Sequence, residues 1–285
     1  MVTGPHLHDS RPAELGEGPL WHPERGELFW FDILGCALMA AGRIWHFAEH
    51  VSAAGWIDHD TLLIASETGL HRFDIASGTA TRLVALEADR PATRSNDGRA
   101  DPWGGFWIGT MGKHAEPGAG AIYRYHRGAL RRLHAGLTIP NAICFSPDAR
   151  FACFADTPTR RIMRQPLDPE DGWPAGPSEP FIDLTAEGRN PDGAVFDRDG
   201  RLWCAEWGSG RVACHDMRGR FVESVAFDAP HTSCPAFGGP ELNALYCTTA
   251  REGLDAAALR RHPNSGCTMV AHVSAHGLSE RRVTA

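Results

Sequence analysis

The sequence predicts an all-β chain folded as a six-bladed β-propeller around a central metal-binding channel. Three observations carry that prediction. Gly and Pro together make up 51 of the 285 residues, well above the ~12% of an average chain, so many turns must separate short strands. Six segments share one shape: an apolar stretch, a turn rich in Pro, Asp and Gly, and then an alternating run rich in aromatics. The second runs begin near Leu28, Leu62, Phe106, Phe151, Leu202 and Leu245, at intervals of 34, 44, 45, 51 and 43 residues. A propeller blade takes roughly 40–50 residues.

The six segments span residues 18–32, 55–66, 101–110, 143–156, 194–206 and 237–249. A further half-buried strand often follows, as at residues 69–74, 121–125 and 161–164, where apolar and polar side chains alternate with the period of two that a sheet imposes. A ring removes the long open edges that an all-β chain of this size would otherwise expose. The apolar segment 267–273 is expected to pair with N-terminal residues and close it. Residues 1–12 read as an N-terminal tail, which holds the one H-x-H motif, His6-Leu7-His8. Residues 13–285 read as a single propeller domain.

Composition excludes several function classes. The net charge is −7 with no block or stripe of like charge, so nucleic acid is not an expected partner. No apolar run reaches the 18 residues of a membrane span, and the first residues lack the pattern of a signal peptide. No two of the eight cysteines have C-x-x-C spacing; reduced thiols, mostly acting as small buried hydrophobes, in a cytoplasmic protein are expected. A monomer is expected, because a closed ring leaves little edge to pair. Of the 28 cationic residues only Lys113 is lysine.

Aligning the repeats on their turn prolines exposes a polar register. Six positions before Pro23, Pro102, Pro147 and Pro240 stand Glu17, Asn96, Asn141 and Cys234. The fifth repeat has Arg198 in the Pro position, and six before it lies Asp192; the second repeat offers Ser52 or Ala53. Equivalent positions of a propeller lie on one ring about its axis. Each of these residues alone reads as a turn former, but two carboxylates and two amides on one ring suit a divalent cation: Ca, Mg or Mn, or Zn with added waters. Arg94, two residues before Asn96, shares its face of an extended strand. Pro140 and Pro191 stiffen the entry to Asn141 and Asp192. Asp156, Glu206 and His231 fall near the same mouth, with turn, surface or wall roles the plainer expectation, and one of Trp103, Trp107, Trp203 and Trp207 is a candidate for the pocket wall.

The motifs Leu15-Gly16-Glu17-Gly18-Pro19-Leu20-Trp21, Arg94-Ser95-Asn96-Asp97-Gly98, Gly109-Thr110-Met111, Pro140-Asn141, Ser146-Pro147-Asp148, Pro191-Asp192-Gly193 and Phe237-Gly238-Gly239-Pro240, taken in order, resemble the gluconolactonase/SMP-30/regucalcin-like family from about residue 13 onward. The resemblance implies a six-bladed propeller that binds one divalent metal through Glu17, Asn141 and Asp192. It implies hydrolysis of a sugar lactone to the aldonic acid, with Arg94 and Asn96 contacting the substrate. Well-known members carry an acidic substrate contact after Gly-Thr-Met. Here ungapped counting puts His114 in that place, with Glu116 two residues on, which leaves the preferred sugar open.

The chemistry then expected is a metal acting as Lewis acid on the lactone carbonyl, with Asp192 as general base and Arg94 and Asn96 stabilising developing negative charge. Gly208-Ser209-Gly210 lacks a full nucleophile elbow. A related propeller esterase or organophosphate hydrolase, and a non-catalytic Ca-binding propeller, are the alternatives, because fold alone does not choose among them.

Overall fold

A computed structural model of the chain describes residues 3–285 and shows six four-stranded antiparallel sheets in a ring. Each of the first five blades is a meander of consecutive strands. The inner strands are Gly16–His22, Val51–Asp58, Thr93–Ala100, Pro140–Phe145 and Asn190–Phe196. The second strands are Glu27–Asp32, Thr61–Ser66, Phe106–Gly112, Phe151–Asp156 and Leu202–Trp207, where the aromatic runs of the repeat predict them.

The sixth blade is built from both ends of the chain. Thr232–Gly238, Ala244–Thr249 and Thr268–His272 supply three strands, and Thr3–Asp9 pairs antiparallel with Thr268–His272 as the outer fourth. The closing segment is therefore where it was expected. The N-terminal tail is not: its residues Thr3–Asp9 are sheet. Without Thr3–Asp9 the strand Thr268–His272 would be an open edge. Outer strands of this ring are largely exposed, as in Ala80–Ala85 and Phe221–Ala226, so they carry little apolar pattern to read.

Period-two alternation builds the core between blades. On the second strand of blade one, Phe29 and Phe31 pack toward blade two against Leu62 and Ile64, whereas Leu28 and Trp30 pack toward blade six against Tyr246 and Val270. Phe106 and Ile108 face blade two, and Trp107 faces blade four. Six such clusters fill the seams between neighbours. Trp107 and Trp203 are seam residues, edge-on to Phe145 and Phe237 at 5.4 and 5.9 Å between ring centres. All eight cysteines are free, and all but Cys36 are buried. Among the described residues no helix is long and apolar enough to cross a membrane.

The last residues cross the lower face of the ring. Gly277 bridges to Asp197 of blade five, and the Val283 and Thr284 amides donate to Trp56 and Gly104 of blades two and three. Val283 is fully buried. Its fit requires Gly55, where a Cβ would lie 2.5 Å from a Val283 methyl. The lower end of the channel is thereby covered, and ligands can approach the carboxylates from the upper end, where the inner strands begin.

Candidate active site

Every inner strand is irregular at one height. Its pairing to the second strand slips between Glu17 and Leu20, Val51 and Ala53, Ser95 and Gly98, Asn141 and Cys144, Pro191 and Ala194, and Thr232 and Pro235. A bulge puts extra residues on one strand and re-aims their side chains. The sequence register therefore marks a ring of bulges: each of its residues lies in one or immediately before one. Gly18 has a left-handed φ of 53°, and a Cβ there would overlap the Ser52 carbonyl, so glycine is required on two counts. Gly193 leaves room for Cys234, whose Sγ a Cβ would overlap.

The bulges bring Glu17, Arg94, Asn96, Asn141 and Asp192 together on a cavity of about 490 Å³ at the upper mouth. All five are buried, at 4–5% exposure. The Glu17 and Asp192 carboxyls neighbour each other, and neither has a cationic partner within 4.0 Å among the described residues. Burial first, then the Asp97 charge, pushes Glu17 up to about 8. Burial, then Glu17 and Asp97, pushes Asp192 well above the carboxylate range. Two carboxyls crowded out of water resist ionising together, and one proton between them relieves it.

A chain of hydrogen bonds orients the amides. Arg94 donates to the Asn96 Oδ1 at 2.8 Å, and Asn96 Nδ2 donates to the Asn141 Oδ1 at 2.8 Å. Asn141 Nδ2 donates to Thr157 Oγ1 at 2.9 Å, and Thr157 donates to the Pro191 carbonyl at 2.7 Å, beside Asp192. The Asn141 oxygen, which accepts from Asn96, keeps a lone pair to spare in the cavity that the two carboxyls also line. Burial pulls the Arg94 pKa down, while Glu252, Glu17, Glu67 and Asp192 oppose it by charge. Arg94 makes no ion pair within 4.0 Å among the described residues, and its Nε is buried without a partner.

Other predicted residues fall into two groups. His114 lines the cavity from its exposed rim. Trp207 is the tryptophan of the wall, stacked on His231 at 4.2 Å, with His231 behind it bonded to the Glu252 carbonyl. Asp156 and Glu206 do not line the cavity. Asp156 accepts the Thr138 and Ile139 amides, and Glu206 is held by Arg211 at 2.7 Å. Cys234 is buried beneath the floor, and Ser52 of blade two donates to Ser95 at 2.8 Å.

Asp97, Lys113, Thr157 and Glu252 were not singled out as site residues. Asp97 is buried, accepts the Ile143 amide at 2.7 Å, and is raised to about 6 by burial. Strict alternation turns residue 97 away from residue 96; the bulge sets both beside the channel carboxyls. Thr157 follows a second strand in a short 3-10 turn. Glu252 lies in the loop after Ala244–Thr249, without a repeat to mark it.

The sequence profile of the SMP-30/gluconolactonase/LRE-like region matches residues 15–251. An L-arabinolactonase of Azospirillum brasilense is 37% identical, over 97% of this chain and 94% of its own length. A 6-deoxy-6-sulfogluconolactonase of Pseudomonas putida is 31% identical, over 95% of each chain. The crystal structure of a calcium-binding protein, regucalcin, from Agrobacterium tumefaciens superposes with a TM-score of 0.96 at 40% identity, covering 100% of this chain and 98% of that one.

Proposed function

The chain belongs to the SMP-30/gluconolactonase/LRE-like family, and on that premise we propose that it hydrolyses a sugar lactone to the aldonic acid with one divalent cation held by Glu17, Asn141 and Asp192. The observation that carries this reading is the pair of neighbouring buried carboxyls, without a cationic partner among the described residues, on the floor of the cavity. The set fits a hard cation: all its donors are oxygens, and a positive ion offsets the burial and the repulsion that raise both carboxyls. The named activities of the lactonase relatives and the calcium-binding neighbour support it.

A cation bound there would supply Lewis acidity to the lactone carbonyl. The chain's own residues do the rest. Asp192, through a carboxylate oxygen, takes a proton from the attacking water as its oxygen adds to the carbonyl carbon. The proton then passes to the ring oxygen as the C–O bond breaks, leaving the acid and a free hydroxyl. Arg94 lines the cavity with guanidinium N–H groups that orient the lactone and offset negative charge on its carbonyl oxygen, and Asn96, whose two amide N–H groups are held by Pro140 and Asn141, contacts the substrate from the same wall. His114 contacts the substrate from the rim.

The test is proton release from glucono-, xylono-, galactono- and arabinonolactone by chelator-treated protein, with Ca, Zn, Mg or Mn added back. Metal-restored hydrolysis of at least one lactone is expected. Absence of metal-dependent acid release from all four would overturn the reading.

A further inference from the structure

Resting on the lactonase reading, we propose that Lys113 is a specificity-determining residue that selects hydroxylated lactones by donating hydrogen bonds from the outer wall of the cavity. It is the only lysine in the chain; every other cationic side chain is arginine. The strand register gives its height. Arg94 pairs with Met111 and Thr93 with Gly112, so Lys113 stands just above Arg94 at the mouth.

Its place is held at both ends. The Lys113 amide donates to the Ala92 carbonyl at 2.9 Å, and Nζ donates to the Glu67 Oε2 at 2.6 Å. Glu67 is anchored in turn through its other oxygen, by the His50 amide at 3.2 Å and by the His50 ring. Lys113 lines the cavity with its side chain 29% exposed. An ammonium has three donors, and Glu67 takes one. Two remain for other acceptors. An arginine in this place would lay its planar fork on the carboxylate and leave fewer donors turned inward. The cavity thus offers carboxyls at the floor, a guanidinium above them and an ammonium at the rim. That sequence of polar groups suits a ring bearing hydroxyls along its length, whereas a simple ester needs only the floor.

The experiment compares wild type, K113M and K113R on the four sugar lactones and on δ-valerolactone, which has the ester and no hydroxyl. Losing one charge-assisted hydrogen bond should lower the ratio of kcat/KM for the best sugar lactone over δ-valerolactone about tenfold in K113M, mostly through KM. K113R, which keeps the charge but turns fewer donors inward, should recover only part of that ratio. In wild type, the aldonate of the best sugar lactone should slow acetylation of Lys113 by an N-hydroxysuccinimide ester, read at that residue by peptide mass spectrometry. An unchanged ratio, an equal fall on both lactone classes, or unprotected acetylation would overturn the proposal. Wild-type activity is the control that separates the two readings: inactive wild type overturns lactone hydrolysis and this inference together, whereas active wild type with an indifferent Lys113 overturns only the latter.

Discussion

The two faces of the ring treat buried charge in opposite ways. On the lower face, Asp101 and Arg124 are 1% and 0% exposed and meet at 2.6 Å; Asp101 also accepts the Trp103 and Gly105 amides. Arg124 lies over the Trp173 ring at 4.5 Å. The equivalent Asp197 of blade five accepts from Arg201 at 2.7 Å and from the Trp203 indole at 2.9 Å. Arg99 pairs with Glu280 of the C-terminal segment. At the upper end, Glu17, Asp97 and Asp192 are equally buried and, among the described residues, none pairs with a cation within 4.0 Å and Arg94 pairs with no carboxylate. The lesson is that burial alone does not mark a functional group in this ring. Burial without the partner that would make it comfortable does, because the missing partner is what a ligand supplies.

Substitutions at the two ends should separate activity from stability. Asp192→Asn should lower kcat/KM about 10³-fold while chelated protein melts no lower than wild type, since one member of a repelling pair is gone; an equal loss of Tm would break the contrast. Arg124→Met should do the reverse. It leaves Asp101 buried and unpaired, at a cost of about 3–5 kcal/mol in urea unfolding, with the folded fraction keeping its kcat. Glu280→Ala strips the partner from Arg99 and should cost about 2 kcal/mol, again measured by denaturant midpoint and again with little change in kcat. The smallest expected effect is Glu67→Gln: it loosens the Lys113 ammonium without removing it, raising KM for the best sugar lactone about threefold by initial-rate kinetics.

The blade period and the second strands were legible because the strands between blades are buried on both faces, so their side chains are apolar throughout and the repeat of aromatics survives. The outer strand Thr3–Asp9 was not, since its side chains are mostly exposed and it pairs with the far end of the chain. Counting back from the turn prolines reached Glu17, Asn96 and Asn141, and from Arg198 in the equivalent position Asp192, because a short hairpin fixes the distance from turn to mouth. Asp97 was hidden by the assumption of strict alternation, which a bulge suspends. Its neighbour in Arg94-Ser95-Asn96-Asp97-Gly98 was signal enough once the bulge was known. Lys113 stood out by residue type alone, and only the paired strands show that it rises above Arg94. Glu252 comes from a loop with no counterpart in other blades, so no register could reach it.

Closure of the sixth blade by strands from opposite ends of the chain has a consequence for biosynthesis. Glu17 is made well before Asp192, and the two meet across a channel that closes only after Thr268–His272 has emerged and paired with Thr3–Asp9. The carboxyl pair is therefore assembled last, although half of it is made first. A cation captured there would bind only the closed ring and stabilise it by mass action. Metal occupancy would then report completion of the fold, and a nascent chain would have no formed site with which to sequester the ion early.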